Sequence, residues 1–428
     1  MTTIDGQRTL VSPWLAALEA ELRAGTQGAL DALWAELANH DRGAVLIEAH
    51  EDDPEHVLLT FLWQAEVELR GAVLVGDALG ADHAGNRMSR LLDTNVWYRT
   101  YRTRSTDLPR YSLSRYQGST AQAIGDGWEE RVVDWDAEPL DACSYFSYEG
   151  QDAPEYEVTG VALSVVELPA PPPDSPLAPH AESSSGRVEQ FRLWSEILGN
   201  ERDVWVYTPP GYSPAQGPYG VMVQFDGETY THLVGVPTIL DNLISEGRIP
   251  PLVAVLPDNI DHETRMRELG CHQPFVDYLT EELLPWARER YAVGDDPERT
   301  VVSGSSMGGL AALYVGLRAS DVFGAVLSQS GSFWWRPNDE EPHEWLNRRY
   351  AESPRLPLKL YLDVGIFETS TTPGDGPTQV EVNRHMRDVL CEKGYDVTYA
   401  EFEGGHYWGC WKGTLADGLV ALLGERLA

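Results

Sequence analysis

The chain has 428 residues and carries 67 Asp and Glu against 32 Lys and Arg, a formal charge of −35 at neutral pH. That balance argues against a nucleic-acid-binding or polybasic membrane-surface protein. Hydrophobic residues at 42% and aromatics at 10% are globular values, too apolar for a disordered solvating chain, and the length favours two domains over one. No apolar run approaches the roughly 20 residues of a membrane span, and MTTIDGQRTLVSP lacks a basic stretch followed by an apolar one, so a cytoplasmic protein is expected. Cys143, Cys271, Cys391 and Cys410 form no CxxC pair, which signals neither a zinc site nor a disulfide framework.

Taken in chain order, PWLAALEAELRAG and ALDALWAELANHD read as helices. The pieces VLLTFLWQAEVEL, GAVLVGD, NVWYRTYRT and PRYSLSRYQ, separated by turn residues, read as strands. Together they predict an all-β, immunoglobulin-like sandwich behind a helical lead, over residues 1–167. Residues 168–186 hold five prolines between positions 171 and 179 and then a Ser/Gly run. Proline fixes φ and donates no N–H, so this stretch is expected to be an extended linker. Over 187–428 short β-branched runs such as VWVYTP, YGVMVQFD, PPLVAVLPD, RTVVSGSS, FGAVLSQSG and LKLYLDVG alternate with helical patterns such as FVDYLTEELLPWARERY and GLAALYVGLRAS. That alternation predicts an α/β domain with a mostly parallel sheet covered on both faces.

The strongest chemical signal is Gly304-Ser305-Ser306-Met307-Gly308, a G-x-S-x-G entered from the apolar pair Val301-Val302 and left into the helical run from Leu310. A serine on such a strand-to-helix turn exposes its Oγ as a nucleophile, and the N–H that follows it, here of Met307, becomes an oxyanion donor. A serine needs an imidazole base, and the chain order of this arrangement is Ser, then acid, then His. Of the histidines after Ser306, His343 lies in a charged loop and His385 in a helical stretch, while His406 sits in the turn GGHYWGCW before the last helix. His406 is therefore the expected base. The orienting acid should follow the strand LKLYLDVG; Glu368, in the loop at its end, is preferred, with Asp363 inside the strand as the alternative. A second oxyanion N–H is expected from Asp226-Gly227-Glu228, at Gly227 or Glu228, because glycine lets the backbone come close to a carbonyl.

In this order and spacing, DGETY, HETRMRELGCH, ERTVVSGSSMGGLAALYVGL, FGAVLSQSGSFWW, VGIFE and GGHYWGCWKGTL resemble the enterochelin (enterobactin) esterases. Upstream, RMSRLLDTNVWYRTYRT and VVELPAPPP look like that family's N-terminal domain and linker. The resemblance implies an α/β-hydrolase domain and cytoplasmic hydrolysis of a tris-catecholate trilactone siderophore, the substrate itself carrying the iron, so that no cofactor and no protein-bound metal is called for. Ser306, His406 and Glu368 match the family's nucleophile, base and acid. The stretch TSTTPGDGPTQVEV after Glu368 reads as an insertion beside the acid.

A ferric tris-catecholate is a trianion, so a chain at −35 needs a local positive field to hold it. Residues 87–116 are net positive and interleave Arg99 and Arg102 with Trp97 and further aromatics, a combination able to bind flat anionic rings. Nearer the serine, Arg265, Arg267, Trp334, Trp335, Arg336, Trp408 and Lys412 are candidates for the mouth, although Trp334 and Trp335, as adjacent residues, should face opposite ways. The expected partner is a small siderophore, with neither nucleic acid nor membrane. Two other readings are a feruloyl or acetyl esterase with a carbohydrate-binding sandwich, and a siderophore-binding protein that has lost its chemistry. A neutral glycan would give the arginine segment no purpose.

Overall fold

Ser12 starts the first helix, α1 (Pro13–Arg23): its Oγ accepts from Leu15 N at 3.1 Å, and Pro13 takes the position where a missing N–H is harmless. In the computed structural model the described residues are 3–4, 7–8, 12–26, 28–38, 45–49, 53, 56–64, 88–104 and 185–424, the last without 339–341, 370–375, 403 and 407. The chain divides into two compact units near residue 170.

In the first unit β1 (Thr3–Ile4) pairs with β2 (Gln7–Arg8), and α1 is followed by α2 (Ala29–Ala38). The strands β3 (Val45–Ala49), β4 (His56–Gln64), β5 (Ser89–Arg90) and β6 (Val96–Arg104) form an antiparallel sheet in the order β3-β4-β6-β5. Leu15, Leu18 and Leu33 of the helices share one apolar cluster with Leu62, Leu91 and Val96. Both expected helices are therefore present and cover one face of this sheet, where a sandwich would place a second sheet. The expected strands at 71–77 and 109–117, like the linker before residue 185, lie outside the described residues.

The second unit is built on eight strands: β7 (Arg187–Ser195), β8 (Asn200–Thr208), β9 (Gly220–Gln224), β10 (Leu252–Pro257), β11 (Thr300–Ser305), β12 (Ala325–Gln329), β13 (Lys359–Gly365) and β14 (Asp396–Phe402). Their order is β14-β13-β12-β11-β9-β10-β8-β7, parallel from β14 to β10 and antiparallel over β8 and β7. Every residue of β9, β10, β11 and β12 is buried, as a sheet covered on both faces requires. Successive residues serve opposite faces. Val301, Leu327 and Tyr361 pack with α3 (Val236–Ser245) and α8 (Trp408–Leu423), whereas Val302, Val326 and Leu360 pack with α5 (Met307–Arg318) and α7 (Gln379–Glu392). Two further helices, α4 (His262–Leu269) and α6 (Trp345–Glu352), lie on the α5 side. The α/β reading of this unit holds. The strand at β7 was not foreseen, because its pattern is half exposed and it ends a sheet rather than filling one. Among the described residues no helix is long and apolar enough to cross a membrane.

Candidate active site

Ser306 occupies the single residue between β11 and α5, at φ 57° and ψ −121°. A positive φ on a residue with a Cβ is strained, and three hydrogen bonds hold it: Ser306 N to Gln329 O at 2.9 Å, Leu310 N to Ser306 O at 3.1 Å, and Ser332 N to Ser306 O at 3.0 Å. The flanking glycines are steric necessities. A Cβ at Gly304 would lie 2.6 Å from the backbone of Gly308, and one at Gly309 2.6 Å from Ser328 Oγ. Strand and helix can cross this closely only without those side chains. Ser305 is fully buried, and Ser306 Oγ also lies 3.3 Å from Ser332 Oγ.

His406 and Glu368 complete a line of groups with Ser306. His406 Nε2 is 2.8 Å from Ser306 Oγ, and His406 Nδ1 is 2.7 Å from Glu368 Oε2. The acid is deeply set, its side chain 1% exposed. Its other oxygen, Oε1, accepts from Ser330 Oγ at 2.6 Å and from Gly365 N at 2.8 Å, and Ser330 Oγ in turn accepts from Trp411 Nε1 at 2.9 Å. Trp411 closes the circuit by meeting the His406 ring edge-on, centroids 4.8 Å apart. The acid and base loops are laced to each other by Phe367 N to Gly404 O at 3.0 Å and Ile366 N to Phe402 O at 2.9 Å. Asp363, the alternative acid, is wholly buried in β13, and desolvation, only partly offset by Thr414 and the Ser330 backbone, pushes its pKa up to about 8. Glu368 thus holds the position beside the imidazole. His343 and His385 lie elsewhere, on Trp334 O and Glu344 respectively. Ser330, Ser332 and Trp411 were missed; the only signal for Ser330 was its place just past the C-terminal end of β12.

The turn after β9 needs two corrections. Asp226 is in the left-handed region at φ 58°, and a Cβ at Gly227 would stand 2.3 Å from Leu256 O, so glycine is obligatory there. Gly227 opens a short helix (Gly227–Thr229) as Met307 opens α5, and the first N–H groups of a helix have no intrahelical acceptor. Both stay candidates for an oxyanion. Glu228 does not: its N–H already donates to Asp258 Oδ1 at 3.0 Å. Burial pushes the pKa of that Asp258 up to about 7. Arg265 was expected to face ligand, yet its Nε and Nη2 bind Asp226 Oδ1 and Oδ2 at 2.6 and 3.0 Å. Asp226 is 2% exposed and also accepts from Asn259 Nδ2, so the arginine is the counter-ion of a buried carboxylate and braces the turn.

This constellation can be set against known proteins. The Esterase family model matches residues 195–422. The iron(III) enterobactin esterase of Dickeya dadantii (strain 3937) is 32% identical over 436 residues, 94% of this chain and 95% of that protein. The chain belongs to the enterochelin esterase family. The iron(III) salmochelin esterase of Escherichia coli O6:H1 is 30% identical, spanning 96% of this chain and 98% of its own length. The enterobactin esterase crystallised from Shigella flexneri in the presence of enterobactin superimposes with a TM-score of 0.66 at 26% identity, covering 91% and 97% of the two chains. This protein is accordingly a carboxylic ester hydrolase.

Around Ser306, His406 and Glu368 of this esterase the remaining candidates divide. Trp408 is half-buried, edge-on to Tyr230 at 5.7 Å and to Trp411 at 4.9 Å, so it adjoins the base. Arg267 is largely exposed, with Glu268 3.7 Å away. Trp334 and Trp335 both pack against the larger core cluster, Trp335 edge-on to Trp345 at 5.8 Å, and Arg336 beside them is half-buried. In the first unit Arg99 stacks over the Tyr101 ring at 5.5 Å, while Arg102 pairs with Asp53 and, by strand alternation, lies on the face opposite Arg99 and Trp97. Trp97 is buried. The three therefore do not form one surface, as the sequence pattern had suggested.

Proposed function

We propose that this esterase hydrolyses the ester bonds of a catecholate trilactone siderophore, iron-loaded, in the cytoplasm, so that the iron is released. The observation that carries the reading is the likeness to iron(III) enterobactin and salmochelin esterases over nearly the whole chain, first unit included. In this mechanism His406 Nε2, 2.8 Å from the hydroxyl, takes the Ser306 proton as Oγ attacks a lactone carbonyl. Glu368 keeps the Nδ1 proton in place and balances the imidazolium that forms. The N–H groups of Met307 and Gly227 stabilise the oxyanion, His406 returns its proton to the departing seryl hydroxyl, and water activated by His406 then cleaves the acyl-serine.

The test is a comparison of kcat/KM for a ferric catecholate trilactone with that for methyl ferulate and an acetylated sugar. A preference for the trilactone of about a hundredfold or more, about 2.7 kcal/mol at 1.36 kcal/mol per decade, is the expected result. A preference for the feruloyl ester would move the assignment to plant-polysaccharide esters. Inertness toward every ester and toward an organophosphonate would leave a binding protein.

A further inference from the structure

Lysine is nearly absent from this chain. Of its 32 basic residues only Lys359, Lys393 and Lys412 are lysines. Lys359 Nζ donates to Leu422 O at 2.5 Å and Lys393 Nζ to Ala351 O at 3.0 Å. Lys412 differs from both. Its basicity is lowered from the ordinary lysine value by burial alone, with neither a carboxylate nor a hydrogen bond among the described residues to offset the loss of water. An ammonium is a compact, strongly hydrated charge, and on the half-buried Lys412 the loss of part of that water is unfavourable until an anion replaces it.

Its position gives that cost a use. Lys412 lies one turn beyond Trp408 on the same face of α8, the helix that begins two residues after His406. Trp408 leans on Trp411, and Trp411 on the His406 ring. On its other side is Gly235, the end of the 227–235 segment that Gly227 opens; a Cβ there would stand 3.9 Å from Lys412 Nζ. At φ +76° position 235 suits glycine, and the missing side chain leaves the flank of the ammonium uncovered. One of the segments that meet at Lys412 thus opens at Gly227, and the other begins two residues after His406, the residue that contacts Ser306 Oγ. The nearby arginines have other work: Arg265 holds Asp226, and Arg267 faces solvent beside Glu268.

We propose that Lys412 and Trp408 form an anion subsite that receives an ionised catechol ring of the substrate, the ammonium pairing with a catecholate oxygen while the ring lies against the indole. This deepens the siderophore reading and rests on it for the identity of the natural ligand, while the subsite itself requires only an anionic aromatic group.

The experiment compares wild type, Lys412→Met and Lys412→Arg on two substrates, the ferric trilactone and neutral p-nitrophenyl butyrate. In Lys412→Met the ratio of kcat/KM for the trilactone to that for the neutral ester should fall by about tenfold or more, as expected for one lost charge-assisted hydrogen bond. Lys412→Arg should recover part of it. With only three lysines in the chain, acetic anhydride labelling mapped by mass spectrometry gives a second readout. Added 2,3-dihydroxybenzoate should protect Lys412 and leave the labelling of Lys359 and Lys393 unchanged. An unaltered ratio in Lys412→Met, or absence of protection, would overturn the subsite. A wild type that ignores the trilactone while dihydroxybenzoate still protects Lys412 would refute the siderophore reading and leave the subsite standing.

Discussion

Replacing Glu368 with glutamine should damage this enzyme more than deleting the side chain, and the hydrogen bonds around the acid say why. Oε1 accepts from two donors, Ser330 Oγ and Gly365 N, so the amide oxygen of a glutamine must take that place. Its NH2 group then faces His406 Nδ1, at the 2.7 Å contact the carboxylate oxygen now makes. Two donors cannot share that contact, so the imidazole proton must move to Nε2, where it points at Ser306 Oγ. An imidazole protonated there cannot accept the serine proton. The expected loss in kcat is about 10³ to 10⁴, roughly 4 to 5.5 kcal/mol at 1.36 kcal/mol per decade. In Glu368→Ala the Nδ1 proton can be retained, and kcat should exceed that of Glu368→Gln by about tenfold. Steady-state hydrolysis of a p-nitrophenyl ester at neutral pH reads both variants. A glutamine variant within tenfold of wild type, or faster than the alanine variant, would refute the reasoning.

Ser330→Ala strips an acceptor from the buried Trp411 N–H and a donor from Glu368, and should cost about 1–3 kcal/mol in urea unfolding with a smaller effect on kcat than Glu368→Gln. Arg265→Met leaves Asp226 buried without its counter-ion; a loss of about 3–5 kcal/mol is expected, with kcat falling more than KM rises, whereas a ligand-binding arginine would show chiefly in KM. Asp363, with its pKa raised from 3.8 to about 8, holds a proton in the folded chain that the unfolded chain has released throughout that window. Wild-type stability should therefore decline relative to Asp363→Asn as pH rises from 5 to 8, by up to about 1.4 kcal/mol per pH unit, and level off above; a flat difference in urea unfolding across this range would contradict the buried protonated acid.

The proposed triad was legible because the chemistry assigned to it imposes order along the chain. The turn at Ser306 needs glycine where strand and helix cross, at Gly304 and Gly309, and His406 and Glu368 follow on later loops at the same edge of the sheet. What spacing could not reveal was which partner each polar group meets after folding. Glu228 and Arg265 sit where a donor to the substrate is expected, yet Asp258 and Asp226, each from the end of the neighbouring strand, claim them. Ser330 carries no motif of its own, so its bond to Glu368 was invisible. In the first unit the helices were readable from their periodicity, but one sheet face proved to be theirs. The arginine and aromatic residues of β6 are close in sequence, yet strand alternation divides them between two faces.

On the proposed function Ser306 attacks the ester bonds of a catecholate trilactone. The most direct measurement is chromatography with mass detection of ferric enterobactin incubated with wild type and with Ser306→Ala. Linear trimer, dimer and monomeric catechoyl-serine appearing only with wild type is the predicted result. Intact siderophore with both proteins, while wild type still cleaves a p-nitrophenyl ester, would contradict the substrate; equal cleavage by both would contradict the nucleophile.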